Sequence, residues 1–216
     1  MVLNIVHIYM SLVCRYAIRQ AQAGRVVMSV DCTDLLNRRH FEPLQLKDSL
    51  YLTEYPFDAL SERSFDEITV YNHYFNSDKA KRGKGLSITI VTYGNGVPTC
   101  ALAVAEYIKT ISSSDSIIDS ISVVDCPYLT SPPSDLKKFA SDLGKNDRLL
   151  FADICKEGPG MPFAGMAAIM QNEGLLDCPW RAVGAQATYN PLGNTITFLS
   201  AEDVKRGIEL LVSKKL

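Results

Sequence analysis

No histidine follows His73 in this chain of 216 residues, so a domain built from its second half has no imidazole to act as a general base at neutral pH. No Cys-x-x-Cys pair occurs either. The six cysteines, Cys14, Cys32, Cys100, Cys126, Cys155 and Cys178, are spaced too widely to signal a zinc site or a disulfide framework, which points to a reducing compartment. Charge of one sign is also missing: a net charge of -2 gives no general attraction to nucleic acid or to an anionic membrane. No apolar run reaches the ~20 residues of a membrane span. The run from Val2 to Val13 is interrupted by Asn4 and His7. No acidic residue precedes Asp31, but Arg15, Arg19 and Arg25 follow the apolar run instead of leading it, the reverse of a secretory signal. The same segment is poor in serine for a mitochondrial presequence and runs on into what reads as a helix and a strand.

With 47% hydrophobic and 21% charged residues, the composition is that of a core-forming globular protein. Ser11 to Ala23 predicts a helix with Leu12, Tyr16, Ala17 and Ala21 on one face, stopped by Gly24, and Arg25 to Val30 predicts a strand. Asp31 to Gly85 reads as an extended connector with a short strand at Glu67 to Tyr71. Strand and helix patterns then alternate. Expected strands are Leu86 to Tyr93, Ile121 to Asp125, Arg148 to Asp153, Trp180 to Gly184 and a short fifth at Ile196 to Leu199. Helices carry Val97, Ala101, Val104 and Ile108, then Leu136, Phe139 and Ala140, then Phe163, Met166 and Met170 after Pro162, and finally Val204, Ile208 and Leu211 after a capping box at Ser200-Ala-Glu-Asp203. Such alternation predicts an α/β domain: a three-layer, Rossmann-like, mostly parallel five-stranded sheet with helices on both faces. Splitting the chain at residue 85 leaves about +1 before it and about -3 after it, so neither part carries a strong field.

Each chemical candidate has a structural alternative. Gly94-Asn95-Gly96 lies between a strand and a helix, with Asp125 ending the next strand, and so mimics a dinucleotide fingerprint. Thr99 stands at the third glycine position, and Asp125 comes 29 residues after Gly96, where about 20 is usual; a tight turn explains both glycines without a ligand. Glu157-Gly-Pro-Gly-Met-Pro-Phe163 precedes a helix whose free amides and dipole would suit an anion, or is simply a loop. Cys126 and Cys155 sit at carboxyl ends of strands, where parallel sheets place their sites and where small buried residues also fit. Lys79-Ala-Lys-Arg-Gly-Lys84 is a phosphate-binding run or a solvated linker, and Tyr189-Asn-Pro-Leu192 reads as a turn.

Ser-Ile-Thr-Ile-Val-Thr-Tyr-Gly from Ser87, Ala101 to Tyr107, Ser-Val-Val-Asp-Cys-Pro-Tyr-Leu from Ser122, Arg-Leu-Leu-Phe-Ala-Asp from Arg148 and Trp-Arg-Ala-Val-Gly-Ala-Gln from Trp180 together resemble the transketolase C-terminal domain. The version they resemble most is that of the beta subunit of thiamine-dependent 2-oxoacid dehydrogenases. The resemblance covers residues 85–216, and Leu12 to Val30 is similar to the closing helix and strand of the pyrimidine-binding domain that precedes it in that family. Departures are Asp153-Ile-Cys155 with a displaced Glu157-Gly-Pro-Gly160 where the family has a glutamate and paired glycines, and Thr130-Ser-Pro-Pro133 where it favours proline then aspartate.

The resemblance implies three parts: residues 1–40 as a remnant of a pyrimidine-binding domain, 41–84 as a connector and 85–216 as the C-terminal-type domain. It implies a function in assembly, since that domain packs and dimerises in the family and helps dock the acyltransferase core. The parent enzymes use thiamine diphosphate and magnesium, held by a Gly-Asp-Gly motif and a glutamate on other domains. This chain has no Gly-Asp-Gly, so no catalytic, cofactor-binding or metal-binding residue is assigned in it, and no cofactor is expected to bind it alone. Expected partners are a second copy, an alpha subunit and the acyltransferase core, in the mitochondrial matrix of a eukaryote or in the cytoplasm otherwise; neither nucleic acid nor membrane is expected. Two alternatives stand beside this: a nucleotide-binding module using Gly94 to Gly96 and Asp125, and a non-catalytic partner of a full-length subunit. On the split at residue 85, deleting residues 1–84 is expected to leave a folded domain.

Overall fold

In a computed structural model of the chain, residues 2–5, 10–31, 64, 66–74, 85–111, 117–188 and 198–213 are described. The amino-terminal part is a β-α-β unit: β1 (Val2–Ile5), α1 (Met10–Gln22) and β2 (Met28–Asp31). β1 and β2 pair in parallel, Val2 opposite Met28 and Ile5 opposite Asp31. The apolar opening run therefore contributes a strand in addition to the helix and strand expected after it.

The larger unit begins before residue 85. Thr69–Tyr74 (β3) lies inside the expected connector, yet it is a strand of the main sheet, antiparallel to β5 (Ile118–Asp125) with Thr69 opposite Asp125. The remaining strands are β4 (Leu86–Thr92), β6 (Asp147–Lys156) and β7 (Trp180–Ala185), and the order across the sheet is β3-β5-β4-β6-β7. All contacts except β3–β5 are parallel. Among the described residues the main sheet has five strands, the number expected, but the fifth is β3. Of the strand expected at 196–199, residues 196 and 197 lie outside the described residues, while Phe198 and Leu199 belong to no strand and lead into the capping box of the last helix.

Helices α2 (Gly96–Thr110), α3 (Ser134–Ser141), α4 (Pro162–Asn172) and α5 (Ala201–Ser213) cover both faces. The period-2 alternation of each strand decides which core a side chain joins. Ile88, Ile90, Ile121, Val123, Leu150 and Ala152 meet Val104, Val204, Ile208 and Leu211 of α2 and α5. Val91, Tyr93, Val124, Leu149 and Phe151 meet Leu136, Phe163, Met166 and Met170 of α3 and α4. Both faces of the central strands are thus apolar, as parallel strands covered on two sides require. The result is a Rossmann-like α/β fold.

Local signals fix the helix starts. Ser200 and Asp203 close a reciprocal box: the Asp203 amide donates to Ser200 Oγ at 3.2 Å, and the Ser200 amide donates to Asp203 Oδ2 at 3.1 Å. Prolines hold the segment before α3 out of helix, with Pro133 extended at its cap. The Ser134 amide in that first turn is met by Asp66 Oδ1 at 3.4 Å, from the turn just before β3. Asp66 and β3 are thereby tied into the larger unit.

Candidate functional site

Open parallel α/β sheets place ligands beyond the carboxyl ends of their strands. Here that edge is formed by Tyr93 after β4, Asp125 ending β5, and Asp153 and Cys155 late in β6. The parallel register sets Val91 beside Phe151. Two residues further along, on the same face, Tyr93 comes beside Asp153.

Tyr93 Oη donates to Asp153 Oδ1 at 2.7 Å. The carboxylate also accepts the Cys155 amide on Oδ1 at 2.9 Å and the Phe163 amide on Oδ2 at 3.0 Å. Asp153 is fully buried, and a buried carboxylate persists only where donors replace its hydration. Phe163 is the second residue of α4, so the charge also sits on the positive end of that helix dipole. The Phe163 ring stands edge-on to Tyr93, centroids 5.1 Å apart, and closes the apolar side of the cluster.

Cys155 Sγ lies 3.5 Å from Tyr93 Oη. The phenol also donates to Asp153, and in the contact with Cys155 either atom can be the donor. Partial desolvation on its inner side raises the thiol of the otherwise exposed Cys155 above its ordinary value, the Tyr93 contact draws it partly back, and the Asp153 charge raises it again. Burial and the same carboxylate raise the Tyr93 phenol. Both groups stay protonated at neutral pH, so Cys155 is not present as a thiolate nucleophile. The trio braces β4, β6 and α4.

The glycines of the turn after β4 have internal reasons. Gly94 has φ of 54°, a left-handed conformation that favours glycine. At Gly96 a Cβ would lie 2.1 Å from Thr92 Oγ1 and 3.0 Å from Ile154 Cγ2, so the helix start approaches the strand more closely than a side chain permits. The first-turn amides of α2 are occupied: Gly96 donates to the Tyr93 carbonyl, Val97 to that of Gly94 and Thr99 to that of Asn95, and Pro98 has no amide proton. An anion there would find those amides already engaged. Asp125, the candidate ribose ligand, is 3% exposed. Thr92 Oγ1 and Asn95 Oδ1 are enclosed without a hydrogen-bond partner. The Cys100 thiol is near enough to Thr92 for a weak polar contact but falls short of a hydrogen bond.

The second candidate anion site is filled from within. At α4, Pro162 has no amide proton, Phe163 donates to Asp153, and Ala164 and Gly165 donate to the Met161 carbonyl. The helix start does hold an anion, and the anion is the chain's own Asp153. Of the cysteines at strand ends, Cys126 is buried and Cys155 exposed. His73 falls in β3, while His7, His40, Lys79 to Lys84 and Tyr189 to Leu192 lie outside the described residues. Among the described residues no cluster of three His, Cys, Asp or Glu is placed to hold a metal ion, and no helix is long and apolar enough to cross a membrane.

Tyr93 and Phe163 were not singled out by motif. The signal in the sequence is an aspartate closing an apolar strand, followed by a proline-started helix whose second amide needs an acceptor. Neither family models nor curated proteins give a match to this chain.

Proposed function

We propose that the larger unit is a non-catalytic assembly domain of the transketolase C-terminal type, akin to that of the beta subunit of thiamine-dependent 2-oxoacid dehydrogenases, acting through its surface. The observation that carries this reading is the internal occupation of two helix starts at the sheet's carboxyl edge: the first turn of α2 satisfies its own amides and that of α4 is filled by Asp153. A ligand-binding Rossmann-like domain keeps those donors open for phosphate. The five resembling segments also fall, in order, on β4, α2, β5, β6 and β7, four strands of one mostly parallel sheet and a helix.

On this reading the chain binds a second copy or an alpha-type subunit and docks against an acyltransferase core. Thiamine diphosphate and magnesium belong to domains that carry the Gly-Asp-Gly motif. Sedimentation equilibrium of the purified chain, with calorimetric titration against thiamine diphosphate with magnesium, NAD and ATP, tests it. Self-association with no heat at millimolar ligand is the expected result. A monomer that binds NAD or ATP would overturn the assembly reading in favour of a nucleotide-binding module.

A further inference from the structure

We draw no further inference here: the strongest candidate, the uncharged outer face of α4 with Gly165, Ala168 and Ile169 towards solvent, is an unpartnered stripe of small and apolar residues, and nothing in the structure shows what covers it.

Discussion

Tyr93 and Asp153 are joined side chain to side chain at 2.7 Å across neighbouring parallel strands, where β4 and β6 give way to the loops that lead to α2 and α4. Replacing Tyr93 with phenylalanine keeps the ring against Phe163 but deprives the buried carboxylate of one donor. A loss of about 2 kcal/mol is expected, the scale of a hydrogen bond to a charged group. Urea denaturation measures it, and an unchanged midpoint would show that the bond contributes nothing.

Asp153→Asn is expected to cost more, about 3 kcal/mol, because one amide hydrogen-bonding face then confronts a donor and the helix loses its charge. The amide of Phe163, which bonds Oδ2 at 3.0 Å, reports this directly. Its hydrogen exchange should accelerate in the variant beyond what the global destabilisation explains.

Two glycine substitutions should move stability in opposite directions. Gly96→Ala forces a Cβ to within 2.1 Å of Thr92 Oγ1, and a loss of about 2–3 kcal/mol is expected from overpacking. Thr92→Ala in the same chain should recover much of it, so the double-mutant cycle has a large coupling. Gly165→Ala meets nothing within 4 Å, lies inside α4 and is expected to stabilise. The gain is about 0.5–1 kcal/mol from helix propensity. A destabilised Gly165→Ala would mean that its outer face is covered in solution.

Alkaline pH should weaken the fold. Burial pushes the Cys100 thiol up to about 12 from 9.0, with a smaller opposing pull from Thr92. A group whose folded value is raised contributes its full stability below the unfolded value and loses it as pH climbs towards the folded one. The window runs from pH 9 to 12, with a slope of about 1.4 kcal/mol per pH unit. Cys100→Ala should flatten the decline by that amount; an unaltered slope would assign the loss to other groups.

Truncation separates the two possible limits of the larger unit. Removal of residues 1–63 retains Asp66, which meets the first turn of α3, and β3, which covers the edge of β5. That shortened chain should fold with native-like near-ultraviolet circular dichroism. Removal of residues 1–84 bares the β5 edge and should lower stability and promote aggregation. Equal behaviour of the two would place β3 outside the cooperative unit.

Strands β4 to β7 and the four helices around them were legible because their patterns are local: apolar runs of strand length, helical spacing of Val97, Ala101 and Val104, and the Ser200–Asp203 box. β3 was half legible. Its Thr-Val-Tyr-Asn-His-Tyr alternation reads as a strand, but antiparallel pairing with a segment beyond α2 is written in no local pattern. β1 was hidden because a four-residue apolar strand running towards a helix reads as one apolar run. The glycines of the fingerprint-like turn were visible, whereas the reason for Gly96 is a close approach that only packing creates. Asp153 was noted as a departure from a family pattern. Its role depends on the register of β4 against β6, which places Tyr93 beside it.

The reach of Asp153 to the α4 amide spans ten positions along the chain. β6, its loop and α4 can therefore close on one another at small entropic cost, while Tyr93 reaches the same carboxylate from 60 positions away. The buried carboxylate therefore couples one local closure, β6 to α4, to one distant closure, β4 to β6.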